Sequence, residues 1–257
     1  MYQYKLIDEY LYIDHEVPFL EKYNSSSNID IATDICIELM VNPFICYGIN
    51  VITCAKDELI LKNREGILMV NKLYGNGRLY ADKEEDASPL IMLFLYSHLI
   101  PKQTLLFHSS LVDFSGSGIM FLGPSGIGKT TQAELWNKYL GADILNGDMV
   151  FTRKNEDGFY GYGSPWHGSS PYYKNAKVKL KALVVLEQAG ENTLKRLEGF
   201  DVLQGIMEQV FLPHWYPEAM DTCLNTLDLL LEEVPVYHLA CRPDEDAVLL
   251  LKQELGL

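Results

Sequence analysis

Ile119-Met-Phe-Leu-Gly-Pro-Ser-Gly-Ile-Gly-Lys-Thr-Thr131 is the stretch that decides how this chain is read. The apolar run Ile119–Leu122 suits a buried strand. Gly123–Thr130 follows the pattern G-x-x-x-x-G-K-[ST] in full. Lys129–Leu140 reads as a helix, with Gly141 as its stop. Gly123, Gly126 and Gly128 have no Cβ, so successive amides can turn inward around an anion. The helix behind them points its positive end at the same place. A random chain of this length carries the four fixed positions about once in a hundred, and the strand and helix flanks make coincidence rarer still. We therefore expect a nucleoside triphosphate on Gly123, Pro124, Ser125, Gly126, Ile127, Gly128, Lys129, Thr130 and Thr131. Lys129 would reach the β- and γ-phosphates, and the Thr130 hydroxyl would sit on Mg²⁺.

Such a cation needs a carboxylate as well. Asp148 in Ile144-Leu-Asn-Gly-Asp-Met-Val150 is the candidate, in a turn between Ile144–Leu145 and Val150–Thr152. The chain from Lys129 to Asp148 has room for one helix and a return strand. Asp143 is the fallback, read as an edge residue. Upstream, Leu106–Phe114 reads as a strand, with a tight turn at Ser115–Gly118. His108 in that strand is either a packing residue or, titrating near neutral pH, a partner for Asp148.

Strands alternate with helices through the rest of this half, which predicts an α/β layer structure. Val178–Glu187 and Val236–Cys241 read as strands. Phe200–Phe211, Glu218–Leu231 and Asp244–Leu255 read as helices. Residues 1–87 read instead as short strands: Tyr4–Ile7, Tyr10–Ile13, Ile35–Met40, Ile45–Cys54, Leu59–Leu61 and Ile67–Val70. Turn chemistry at Ser25–Asn28 and Gly75–Gly77 separates them. Asp82–Asp86 is read as a solvated acidic loop. A buried helix, Pro89–Leu99, opens at Ser88-Pro89 and ends before Pro101. The expected organisation is a β-rich N-terminal domain over 1–100 and a nucleotide-binding domain over 101–257.

With 257 residues, 48% of them hydrophobic, the chain can bury a sizeable core. Its net charge of −14 argues against nucleic acid and against anionic membrane as partners. It also throws weight on Lys129 and the loop amides as the positive groups of the site. Five cysteines without a C-x-x-C pair suggest reduced thiols in a cytoplasm. The first residues have neither the basic start nor the apolar run of a signal peptide. The sequence leaves the oligomeric state open, with a homo-oligomer allowed.

Taken in order, Leu106-Phe-His108-Ser-Ser-Leu-Val-Asp113, the glycine loop and Asn146-Gly-Asp148 resemble the HPr kinase superfamily, bacterial serine kinases related in fold to phosphoenolpyruvate carboxykinase. Gly163-Ser-Pro-Trp-His-Gly168 and Cys241-Arg-Pro-Asp-Glu-Asp-Ala-Val248 are similar to segments of HPr-kinase-like proteins linked to peptide modification. The resemblance implies a kinase domain of that type. It would transfer phosphoryl from ATP or GTP, with Mg²⁺, to a hydroxyl, usually serine, on a protein, peptide or small molecule. His108, Asp148 and Lys129 would be catalytic, and Thr130 and Asp148 would hold the metal. In the family a tandem Asp-Asp supplies the base and a metal contact; here Gly147 replaces the first acid. Two alternatives stay open: a nucleotide-binding scaffold or regulator that has lost transfer, and a carboxykinase-like lyase, for which no second metal set or arginine cluster is evident. Trp166-His167 is either an acceptor contact or a loop anchor. Arg196 and Arg242 are candidates for phosphoryl contact or plain surface ion pairs.

Overall fold

The computed structural model describes residues 2–14, 16–25, 35–41, 50–54, 58–62, 66–71, 74–81, 83 and 87–257. Most of the expected turn at Ser25–Asn28, the start of the expected strand Ile45–Cys54 and nearly all of the Asp82–Asp86 run lie outside them. The described chain groups into two compact units, residues 1–102 with 213–220, and residues 103–212 with 221–257.

In the first unit the described strands are β1 (Tyr2–Leu6), β2 (Glu9–Ile13), β3 (Ile35–Val41), β4 (Asn50–Cys54), β5 (Glu58–Lys62), β6 (Gly66–Asn71) and β7 (Asn76–Ala81). They form one sheet in the order β1-β2-β3-β7-β6-β5-β4. The sequence reads Asn76-Gly77 as turn; both open β7 instead, because Tyr74, at φ 50°, already turns the chain. Helix α1 (Ser88–Leu99) is apolar almost all round and buries Leu90, Ile91, Phe94, Leu95 and Leu99. Ser88 is its first residue, and Ala87 stands at the cap position. Pro89 in the first turn has no N–H, so one fewer donor needs capping. Pro213–Met220 joins this unit through a Trp215 Nε1–H bond to Ser97 Oγ (2.8 Å) and the Tyr74–Tyr216 ring contact (4.8 Å).

The second unit is mixed α/β around a large sheet. Strands β8 (Thr104–Phe114) and β9 (Ser117–Leu122) form a hairpin. Its two turn residues, Ser115 and Gly116, have φ 53° and 83°, the conformation whose twist matches flanking strands. After β9 come α2 (Lys129–Leu140), β10 (Asp143–Asn146), β11 (Met149–Asn155), β12 (Gly158–Tyr162), β13 (Lys177–Gln188), β14 (Thr193–Arg196), α3 (Phe200–Ile206), α4 (Met220–Glu233), β15 (Val236–Cys241) and α5 (Glu245–Glu254). Strand β13 runs parallel to both β9 and β15. Its burial alternates from Lys177 to Lys181, where it pairs with β12, then becomes continuous over Ala182–Val184, as suits a parallel segment covered on both faces. Helix α2 buries Lys129, Gln132, Ala133 and Trp136, spaced three, four and seven residues on along one face. Trp136 fills the layer between helix and sheet against Phe114 (5.8 Å) and Phe121 (6.4 Å).

Three sequence readings change here. Strands β12 and β14 are additional. The helix expected over Phe200–Phe211 stops at Ile206 and tightens to a 3₁₀ turn over Met207–Gln209. Val210 is drawn out of it by pairing with Phe107, and Phe211 N–H by the Leu106 carbonyl (2.9 Å). The turn expected at Asp148 is only a kink in one continuous line of strand. Strands β10 and β11 lie one after the other along the same strand, β8, in unbroken register from Asn146↔Leu111 to Met149↔His108. Gly147-Asp148 is the kink between them.

Candidate active site

The kink at Gly147-Asp148 has a physical cause. Gly147 N–H donates to Tyr172 O (3.1 Å), and Gly147 O accepts from the Thr130 hydroxyl (3.1 Å). Both groups are thus taken by partners outside β8. The next carbonyl, of Asp148, returns to the ladder by accepting from Ser109 N–H (2.8 Å). Asn146 fixes the kink from beneath. It is fully buried, and its Oδ1 accepts from Asp148 N–H and Met149 N–H, each at 2.8 Å. Its Nδ2 reaches Ser164 O (2.9 Å) and Trp166 O (3.3 Å). One amide therefore joins the acid's backbone to the loop between β12 and β13. An asparagine bonding the amides two and three residues on is a local turn signal, present in Asn-Gly-Asp but unread in the sequence.

His108, on β8 directly opposite the kink, bonds through Nε2 to Asp148 Oδ1 at 3.0 Å. That bond is the largest reason the Asp148 carboxyl is held below the usual carboxylate range. Burial opposes it, and the charges of His108, Lys129 and His167 add to it. Asp148 is therefore an ionised acceptor at neutral pH.

The glycine loop connects the end of β9 to α2. Gly123, Gly126 and Gly128 have φ of 142°, 80° and 113°, a run closed to residues with side chains. Helix α2 starts with no side-chain cap. By helix geometry the amides of Lys129, Thr130 and Thr131 lack intrahelical acceptors. Lys129 is only 6% exposed, and its Nζ donates to Gly123 O (2.9 Å) and Pro124 O (3.2 Å). Burial pushes its pKa down while Asp148 pulls it up.

These groups converge on an open cleft of about 230 Å³. Ser125, Gly126, Gly128, Lys129, Thr130 and Thr131 form its loop side; His108, Gly147 and Asp148 form its floor. Gly123, Pro124 and Ile127 do not line it. The first two hold Lys129 through their carbonyls, and Ile127 faces a neighbouring cavity. Neither Arg196 nor Arg242 lines the cleft; Arg242 pairs with Asp244 on the surface (2.9 Å).

The far wall comes from the Gly163–Lys174 loop. His167, Ser169 and Ser170 line the cleft, while Trp166 is buried against Phe151 as an anchor. His167 stacks on Tyr173 (4.2 Å, 4°), and its Nδ1 meets Ser170 O. Gly168, at φ 56°, brings this loop against the acid: a Cβ there would fall 2.5 Å from Asp148 Oδ2. Ser170 occupies the space beside Gly147, where a Cβ would lie 1.9 Å from Ser170 Oγ. A side chain at 147 and Ser170 as it stands exclude one another.

The donor set suits a magnesium-bound polyphosphate. It offers a hydroxyl, Thr130 Oγ1, and an ionised carboxylate, Asp148, at the mouth of a helix beside a buried ammonium. Magnesium uses few protein oxygens and completes its shell with phosphate and water. That agrees with the lack, among the described residues, of any cluster of three or more His, Cys, Asp or Glu that could hold a metal alone. No described helix is long and apolar enough to cross a membrane.

No family model matches the chain. It is 22% identical over 163 residues to the HPr kinase/phosphorylase of Brevibacillus brevis, a match covering 62% of this chain and 49% of that protein. The chain thus spans about half the length of that curated relative. Among solved structures, the Hpr(Ser) kinase/phosphatase from Coxiella burnetii aligns with 59% of this chain and 99% of its own, at 11% identity and a TM-score of 0.36. Through this sequence relationship, and with the histidine, glycine loop and short-spaced acid in the order that the resemblance rests on, the chain is similar to the HPr kinase-like superfamily.

Proposed function

We propose that the chain is a nucleotide-dependent phosphotransferase acting on a hydroxyl, with serine of a peptide or protein as the acceptor class. The carrying observation is the meeting, round one cleft, of an uncapped helix start, a buried ammonium and an ionised carboxylate paired to a histidine. The triphosphate of ATP or GTP lies on the Gly123–Thr131 loop, with the first-turn amides of α2 and Lys129 on its oxygens. Thr130 and Asp148 would hold Mg²⁺, which would supply charge neutralisation to the phosphates. Lys129 exchanges its contacts with Gly123 O and Pro124 O for phosphate oxygen.

Asp148 is also the group placed to accept the acceptor hydroxyl's proton. The acceptor oxygen bonds to the γ-phosphorus, the bond from that phosphorus to the bridging oxygen breaks, and the proton goes to Asp148. His108 orients the carboxylate through the 3.0 Å bond and keeps it ionised until then. The His167–Ser170 wall faces the incoming hydroxyl and narrows the approach. Buried Cys223 and Cys241, neither in a disulfide, fit a reducing compartment, which we take to be the cytoplasm.

A second reading, nucleotide binding without transfer, draws on Gly147. The family's first acid is missing, and Ser170 fills its space. Incubation with γ-labelled ATP, Mg²⁺ and serine-containing peptide pools separates the two. Label on a serine, lost in Asp148→Asn, supports the transferase. Stoichiometric nucleotide binding with no label in any pool supports the scaffold.

A further inference from the structure

The far wall of the cleft carries Ser169 and Ser170, and their hydroxyls differ in what they do. Ser170 is 8% exposed; its Oγ packs against Gly147 and accepts from Tyr172 N–H at 3.2 Å. Ser169 is exposed, and its hydroxyl has no hydrogen-bond partner among the described residues. One serine is built into the wall; the other presents a free nucleophile to the space where phosphoryl transfer is proposed.

Ser169 sits at the tip of a tight turn. Ser170 N–H donates to His167 O at 3.0 Å, which makes Gly168 and Ser169 the two central residues. Both ends of the turn are fixed. His167 is stacked on Tyr173, its Nδ1 meets Ser170 O, and the Ser170 side chain is held as described. Gly168, at φ 56°, lets the tip come down on the acid, with its Cβ position 2.5 Å from Asp148 Oδ2. The next residue along the tip is Ser169, carried beside the carboxylate that takes the proton in the proposed reaction.

Its side of the cleft matters too. The attacking oxygen must lie roughly in line with the bond that breaks, on the face of the γ-phosphorus away from the leaving oxygen. The hydroxyls of Ser125, Thr130 and Thr131 also line the cleft, but they belong to the loop and helix start that grip the triphosphate. Ser169 stands across from them, above the floor that carries Asp148. A hydroxyl tethered there needs no encounter with a second molecule, so its effective concentration far exceeds that of a dissolved peptide.

We propose that Ser169 is a phosphorylation site of the chain's own transferase, modified within one molecule. The proposal rests on the phosphotransferase reading of the cleft and names an acceptor for it. Ser169 Oγ bonds to the γ-phosphorus, and the bond from that phosphorus to the bridging oxygen breaks. The nucleoside diphosphate leaves with the electron pair, and the hydroxyl proton goes to Asp148. The product is a phosphoserine, a stable ester that accumulates on the chain and can be mapped.

The test incubates the purified full chain with excess γ-labelled ATP and Mg²⁺ and no added acceptor. Tandem mass spectrometry of its peptides should find a single phosphoryl group, on Ser169, in wild type, which needs no variant to fold. The labelled fraction at a fixed time should stay the same when the chain is diluted about tenfold, as an intramolecular step requires. Ser169→Ala should lose the label, and so should Asp148→Asn, which excludes a contaminating kinase. Label on another residue, label that survives either substitution, or a labelled fraction that falls on dilution would overturn the assignment. So would an unlabelled chain in a reaction that labels serine peptides, and that result leaves the transferase reading standing. Bound MgATP with label on neither chain nor peptide would overturn both.

Discussion

Gly147→Ala probes how the cleft floor is built. The added Cβ would lie 1.9 Å from Ser170 Oγ and 2.5 Å from Ser170 Cβ, whereas the next neighbour, Thr130 Oγ1, is 3.8 Å away. Gly147 is not among the glycines with positive φ, so its backbone accepts an ordinary residue. The whole cost therefore comes from Ser170. Overpacking of this kind costs about 1–3 kcal/mol, and for a chain of this size each kcal/mol lowers Tm by about 2–4 °C. Ser170→Gly alone forfeits the Tyr172 N–H bond to Ser170 Oγ (3.2 Å), worth about 0.5–1.5 kcal/mol. In that background the methyl at 147 meets empty space, so the two changes should couple by about 1–3 kcal/mol. The assay is a double-mutant cycle of urea unfolding on the four proteins. Gly147→Ala as stable as wild type, or equally costly in both backgrounds, refutes the reasoning. The same geometry bears on function. Gly147→Asp alone cannot restore a tandem acid; only Gly147→Asp with Ser170→Gly has room for one.

Asp148→Asn should lower magnesium-dependent transfer by about 10²–10⁴-fold while circular dichroism stays that of the wild type; unchanged turnover removes Asp148 from both of its roles. Gly168→Ala strains a φ of 56° and drives a methyl to 2.5 Å from Asp148 Oδ2. It should cost about 1–2 kcal/mol in unfolding and reduce transfer about tenfold or more, and wild-type turnover would show that the loop does not brace the acid. His108→Ala removes the main cause of Asp148's lowered pKa and leaves burial, which raises it. Carboxyl NMR titration should then show Asp148 ionising at higher pH, with the acidic limb of turnover moving up alongside. The sign for stability runs the same way. In wild type the Asp148 contribution is present above the unfolded carboxylate pKa of about 3.9 and lost as pH falls through the lower folded value. The stability gap between wild type and Asp148→Asn should accordingly close below about pH 4.

Much of the second unit could be read from local pattern. Ile119–Leu122, the glycine loop, α2 and its Gly141 stop appear as expected because each is set by neighbours within a few residues. Asp148 stands out in the sequence as the carboxylate that a loop-bound cation needs, and His108 through the family resemblance; the structure brings them within one hydrogen bond. What the sequence conceals depends on distant partners. The kink at Gly147 forms because Thr130 and Tyr172 take its polar groups. Ser170 looks like any loop serine until it is found against Gly147. Strand β14 is mostly exposed and lacks an apolar run, and β12 is interrupted by Gly161, so neither carries a strong strand pattern. Phe200–Phe211 has helical periodicity, but pairing with β8 overrides it from Val210 onward.

Calorimetric titration of wild type and Lys129→Ala with MgATP tests the central claim most directly. The account expects one nucleotide per chain on the wild type. It expects affinity at least about tenfold weaker once the ammonium, a charge-assisted donor worth about 1.5–3 kcal/mol, is removed. No heat with wild type, or the same affinity in both proteins, would contradict it.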